Sequence, residues 1–215
     1  MQIFASCIGI QYNALTEQEC NNVVAVADTC KEEDAKVLSP QNILTGQSKS
    51  FEETESYNEE QRKTKLLHWN GHEDLIDRIG AKVTRHVQDY LSTVPIDINP
   101  SPSVQFAKYS SEGDKFEWHC DQEFNWKTWD IKHQIDKNQN KWHFRKVTAI
   151  CQVSNPDDYK GCNLEFRHHK HEDDNPYRDQ GTLIIFPSFV YHRVTPLLSG
   201  KRFSLTYWYE GPVWR

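Results

Sequence analysis

The spacing of apolar and polar positions splits the chain into a helical first half and a strand-rich second half. The apolar run from Gln2 to Ile10 reads as a strand, since it lacks the basic start and small-residue cleavage site of a leader peptide. Thr16-Glu17-Gln18-Glu19 is a capping box, in which the threonine hydroxyl accepts from the Glu19 backbone and the Glu19 carboxylate reaches back. Leu15 can staple to Cys20, and the helix that follows places Val23, Ala27 and Cys30 on one face. A second helix is predicted from near Asn70. Its Leu75, Ile79, Val83, Val87 and Leu91 make an apolar stripe for packing on a sheet. Between the helices, the polar stretch from Ser39 to Thr64 is too long for an ordinary connector.

After Pro100 and Pro102 the pattern changes. Val104-Phe106, Val147-Ile150, Leu164-Phe166, Leu183-Phe186 and Phe203-Tyr209 are short β-branched or aromatic runs divided by Gly and Asn-Pro turns. Helices followed by many short strands predict an α+β fold, a double-stranded β-helix (jelly roll) with N-terminal supporting helices. The whole of 1–215 reads as one domain, with helical support and a lid over 1–100 and the jelly-roll core over 101–215.

Composition narrows the function. Charged residues are 26% of the chain and hydrophobic residues 37%, which argues for a packed globular domain over a disordered chain. The net charge of -6 gives no general basic face, so nucleic acid is not an expected partner. No apolar run is long enough to span a membrane. The six cysteines contain no CxxC pair and are too few for a disulfide scaffold; they read as reduced thiols in a cytoplasmic protein. The oligomeric state is left open.

The candidate chemistry lies in a His-x-Asp pattern. Residues two apart on a strand point the same way, and with a distant second histidine they make a two-His-one-carboxylate face that leaves coordination positions open. The chain contains the pattern three times. His72-Glu73-Asp74 opens the second helix, where residues two apart diverge. His171-Glu172-Asp173 sits in a charged, histidine-rich turn that reads as a solvated loop. His119-Cys120-Asp121 instead ends a strand-like run, and His192 follows the buried run Leu183-Phe186 and a turn. Arg202, Ser204, Thr206 and Trp208 then share one face of the last strand, with Lys201 on the other.

Tyr109-x3-Gly113-x2-Phe116-x2-His119-x-Asp121, Gly161-x2-Leu164 and His192-x-Val194-x-Pro196-x5-Arg202 resemble the prolyl 4-hydroxylase-type 2-oxoglutarate oxygenases over roughly residues 101–210. The resemblance implies that His119, Asp121 and His192 bind Fe(II). It implies that Arg202 pairs with the distal carboxylate of 2-oxoglutarate, with Tyr109 and Thr206 also on the co-substrate. Arginine suits that task because it offers two parallel donors to a carboxylate. Arg145, Gln152 and Trp208 are the candidate substrate residues, and no catalytic group is expected beyond the metal ligands. O2 and a peptide or protein substrate are the implied partners, with ascorbate as a reductant. The polar stretch from Ser39 to Thr64 corresponds to a lid over the peptide. Cys162 stands where the family carries a second glycine, and the long segment from Gln122 to Phe144 holds three tryptophans.

Prolyl hydroxylation is the leading expectation. The same chemistry on a free amino acid, a small metabolite or another side chain is the alternative, since fold and motif do not separate these. A non-catalytic jelly-roll binding module is the reading of another class, and the intact His119, Asp121, His192 and Arg202 argue against it. A zinc hydrolase would have no need of Arg202.

Overall fold

The computed structural model describes residues 7–38, 55–122, 143–167 and 175–212. The capping box forms as the sequence requires: Glu19 donates its backbone N–H to the Thr16 hydroxyl and accepts from the Thr16 N–H at 2.8 Å. Helix α1 runs Glu17–Val26, and a single tight turn, Ala27–Thr29, ends it. Leu15, Cys20, Val23 and Ala27 all enter the main core. Helix α2 runs Glu73–Leu91 and buries Ile76, Ile79, Val83, Val87 and Tyr90. The stripe expected at every fourth residue is therefore corrected at its ends, where Leu75 and Leu91 are only half-buried. A helix turns once per 3.6 residues, so a strict four-residue spacing drifts off the buried face.

The strands, in chain order, are β1 (Gly9–Gln11), β2 (Lys31–Asp34), β3 (Val37–Leu38), β4 (Glu55–Ser56), β5 (Arg62–Lys63), β6 (Lys65–His68), β7 (Ser103–Tyr109) and β8 (Lys115–His119). They continue with β9 (His143–Gln152), β10 (Tyr159–Gly161), β11 (Leu164–Phe166), β12 (Leu183–Pro187), β13 (His192–Val194), β14 (Leu197–Gly200) and β15 (Arg202–Pro212). A seven-stranded sheet has the order β1-β12-β9-β15-β7-β6-β2, and a four-stranded sheet the order β11-β13-β8-β5. Every strand pairing in both is antiparallel.

Period-two alternation assigns each side chain of the large sheet to one of two interiors. Val147, Ala149 and Cys151 of β9, with Phe203, Leu205, Tyr207 and Tyr209 of β15, pack under the two helices. The intervening residues face the small sheet. There Ile150, Ile184 and Phe186 meet Leu164 and Phe166, so the two sheets close on each other. This is the helix-supported two-sheet architecture expected.

The first half also holds strands that the apolar pattern did not mark. Strand β2, Lys-Glu-Glu-Asp, is exposed throughout and forms one edge of the large sheet. Charge on an edge strand blocks further pairing, and it also hides the strand from a hydrophobicity reading. Residues 39–54 of the expected lid lie outside the described residues. The end of that polar stretch is framework: β5 pairs with β8 through Arg62 and Phe116, and Arg62 and Thr64 are buried.

The turn after β10 is tight. Gly161 has φ +77°, and a Cβ there would sit 2.2 Å from the Pro196 carbonyl oxygen. Cys162 follows at φ 49° and is buried, a left-handed conformation that a non-glycine residue adopts at some cost. No two of the six cysteines are joined. Among the described residues, no helix is long and apolar enough to cross a membrane.

Candidate metal centre

The site is built where β8 and β13 lie side by side. Their register sets His119 directly opposite His192. Strand β8 ends at His119, so Asp121 lies in the bend just beyond it and not on the strand. That bend is tied to the turn after β12, where the Gln122 N–H donates to the Ser188 carbonyl at 2.9 Å. The ligand atoms of His119, Asp121 and His192 all lie within 4.8 Å of one another, the only such cluster among the described residues.

The two imidazoles are set for ligation. Nδ1 of His119 lies 2.7 Å from the Glu117 carbonyl oxygen, and Nδ1 of His192 lies 3.0 Å from that of Val190. A carbonyl only accepts, so each Nδ1 carries the proton and each Nε2 presents a lone pair. The Nε2 atoms stand 3.6 Å and 3.7 Å from the Asp121 carboxylate oxygens. Phe116 stacks on His119 with ring centroids 3.5 Å apart, and Phe186 meets His192 edge-on at 4.9 Å. Burial in this apolar box, with His119 alongside, pushes His192 down to about 4, although Asp121 opposes the shift. It is thus neutral at neutral pH, as a metal ligand must be. Burial alone would raise Asp121, but the two histidines more than offset it and hold the carboxylate well below its usual range.

Thr148 and Ser188 complete the carboxylate's surroundings. The Thr148 hydroxyl donates to Oδ2 of Asp121 at 2.8 Å and lies 2.9 Å from the Ser188 hydroxyl. Neither residue was picked out from sequence. Thr148 had a usable signal, because it alternates with Ile150 and Gln152 on the inward face of β9. Ser188, in the turn after β12, had none.

Arg202 stands further along the inner face, 1% exposed. Its Nε and Nη2 donate to Oε1 of Gln152 at 3.2 Å and 2.9 Å, while Nη1 is buried without a partner. Its register partner Tyr109 lies beneath the guanidinium, with the ring centroid 5.2 Å from Cζ. Burial pushes the Tyr109 phenol up, opposed by Arg202. Thr206 is buried on the same face of β15. Among the described residues Arg202 makes no ion pair. A buried cation with an orphaned donor is costly unless an anion completes it. The donor set therefore fits a divalent metal at the triad and a carboxylate at Arg202.

Of the three candidate substrate residues, Arg145 and Trp208 line an open cavity of about 430 Å³ together with His119 and Asp121. The Arg145 guanidinium lies over the Trp208 ring at 4.0 Å. Gln152 is buried and committed to Arg202, away from that opening. The other His-x-Asp copies do not join the cluster. His72 occupies the N-cap position of α2 without a side-chain capping bond, its Nε2 instead 2.9 Å from the Thr29 hydroxyl. His171 lies outside the described residues, as do Trp126, Trp129 and Trp142.

Residues 104–210 match the family model of the 2OG-Fe(II) oxygenase superfamily. The chain is 30% identical over 105 residues to a PKHD-type hydroxylase of Synechococcus sp., covering 48% of this chain and 40% of that protein. It therefore spans less than half the length of that relative. A Pseudomonas putida prolyl-4-hydroxylase has a similar structure, with TM-score 0.59, 17% identity and coverage of 95% of this chain and 92% of that one. A Trichoplax adhaerens prolyl hydroxylase, solved with a peptide fragment of the hypoxia inducible factor oxygen degradation domain, aligns with TM-score 0.53 and 20% identity. That alignment covers 97% of this chain and 85% of the other. These similarities carry the fold, a double-stranded β-helix.

Proposed function

We propose that this chain, which belongs to the 2OG-Fe(II) oxygenase superfamily, hydroxylates prolyl residues of a peptide or protein with Fe(II), 2-oxoglutarate and O2. The observation that carries the reading is the pairing of a two-His-one-carboxylate cluster with a buried arginine that lacks an anion. Fe(II) with 2-oxoglutarate and O2 supplies the hydroxylation, one oxygen atom entering the substrate C–H bond and the other the succinate left after loss of carbon dioxide.

The chain's own part is binding and orientation. His119 and His192 present Nε2 because their Nδ1 protons are held by backbone carbonyls. Asp121 is anionic and fixed by Thr148. Arg202 and Tyr109, both buried from water, receive the distal carboxylate of the co-substrate where charge-assisted hydrogen bonds are strong. Arg145 and Trp208 form the substrate-side wall of the open cavity. A peptide substrate agrees with an opening of that kind, and with the peptide bound to the Trichoplax structural neighbour.

The test is incubation of the full chain with Fe(II), 2-oxoglutarate, ascorbate and a library of proline-containing peptides. The expected result is 2-oxoglutarate-dependent succinate together with a peptide that gains one oxygen atom on proline. Succinate released with small molecules but with no peptide would overturn the substrate class. No succinate under any condition would overturn the reaction.

A further inference from the structure

Arg202 is held by a neutral partner. Its guanidinium has only donors, so the Gln152 amide must present its oxygen, and that oxygen takes the side edge formed by Nε and Nη2. The end edge, with Nη1 and the second Nη2 proton, remains. Nη1 has no acceptor and is buried. Gln152 itself is 2% exposed and reached from neither solvent nor the open cavity. A carboxylate in its place would satisfy the same two donors and also cancel the charge. The amide satisfies the donors and leaves the charge in place.

We propose that Gln152 is a positioning residue for co-substrate recognition: it clamps Arg202 by one edge with an uncharged acceptor, so that the other edge and the full positive charge are kept for an incoming dicarboxylate. This rests on the assignment of Arg202 to the distal carboxylate of 2-oxoglutarate. The chemistry follows from burial. An arginine already paired with a carboxylate has little to gain from a second one, and two carboxylates on one guanidinium repel each other. An unclamped arginine must be ordered on binding, which weakens affinity through lost side-chain freedom. Gln152 avoids both penalties. The Tyr109 ring beneath the guanidinium limits its remaining motion.

The experiment uses the full chain loaded with Mn(II), which does not turn over, and titrates 2-oxoglutarate by calorimetry. Gln152→Glu, Gln152→Leu and Arg202→Ala are compared with the parent, and the melting temperature of each metal-free protein is recorded. Gln152→Glu should melt higher than the parent, because it pairs with Arg202, yet bind 2-oxoglutarate at least roughly tenfold more weakly. Gln152→Leu should melt lower and also bind the co-substrate more weakly, by about tenfold. Mn(II) affinity measured without 2-oxoglutarate should be unchanged in both. A merely structural glutamine would shift the melting temperature of the variants and leave co-substrate affinity alone. Binding of 2-oxoglutarate within about twofold of the parent (a difference under roughly 0.5 kcal/mol) by either folded Gln152 variant would overturn the proposal, provided Arg202→Ala has lost binding. If Arg202→Ala binds normally, the assignment of Arg202 is wrong and the proposal falls with it. If Gln152→Glu does not fold, Gln152→Leu decides by the same criterion.

Discussion

Replacing Thr148 with valine tests how the carboxylate of the metal cluster is held. Valine has almost the same shape, so packing in the sheet is preserved while the hydroxyl is removed. What is lost is the 2.8 Å hydrogen bond to Oδ2 of Asp121 and the 2.9 Å contact with Ser188. Asp121 is 7% exposed and held anionic by its histidines, so removing the donor leaves a mostly buried charge short of a hydrogen bond. A hydrogen bond to a charged group contributes about 1.5–3 kcal/mol, and for a chain of this size each kcal/mol moves the melting temperature by about 2–4 °C. Thr148→Val should therefore lower the melting temperature of the metal-free protein by roughly 3–12 °C. Loss of a partner that orients a ligand typically weakens metal binding about 10–100-fold, so Mn(II) affinity by titration calorimetry should fall within that range. Thr148→Ser keeps the donor and should recover most of both effects. A Thr148→Val protein with an unchanged melting temperature and Mn(II) affinity within about twofold of the parent would refute the argument, since a ligand-orienting partner is worth far more than that.

Further expectations follow from the same geometry. His119→Ala, Asp121→Ala and His192→Ala should each abolish succinate formation while the circular dichroism spectrum is retained, whereas His72→Ala should leave turnover unchanged; turnover by any of the first three would remove that residue from the cluster. Arg202→Ala should raise the 2-oxoglutarate requirement on the order of 10²–10³-fold, the scale of losing one partner of a buried charged pair, and a normal KM would exclude the assignment. Burial pushes the Cys20 and Cys162 thiols up to about 11 from 9.0, so timed alkylation at pH 8 read by mass spectrometry should label both roughly 100-fold more slowly than an unshifted thiol. Ile79→Ala, at a 2% exposed position of α2, should cost about 2–5 kcal/mol in a urea titration, against a much smaller loss for half-buried Leu75→Ala.

What the sequence revealed and what it hid follow one physical line. Apolar periodicity and capping chemistry are local, so α1, α2 and the core strands were legible from Thr16, Glu19, Val83 or Leu205. The clustering of His119, Asp121 and His192 was legible through the motif resemblance, with strand context choosing among three His-x-Asp copies, and Arg202 through the same resemblance, with alternation separating it from Lys201. The short charged strands β2 and β5 were not legible. They are held by pairing with β6 and β8, and such partners are distant in sequence. Gln152 was read as a substrate residue and instead clamps Arg202, because which inward neighbour it meets depends on β15, whose register pairs it with Ser204 and brings Arg202 within reach. Ser188 reaches Thr148 only because β12 lies beside β9.

Strand β9 joins the two ends of the site to the core in a single element. From Val147 onward its odd residues, Val147, Ala149 and Cys151, are fully buried under the helices. Its even residues carry Thr148 at the metal cluster and Gln152 at the arginine. Four residues of extended chain separate these two anchors by roughly 13 Å along the strand. A slip of one residue in β9 would carry both anchors to the helix side and push core side chains into the site at once. The register that buries the apolar face under the helices is therefore the same register that holds Asp121 and Arg202 in place. With Asp121 and Arg202 in the roles proposed above, a sequence change that loosens the packing of Val147, Ala149 or Cys151 acts on metal and co-substrate binding through β9 without touching either side chain.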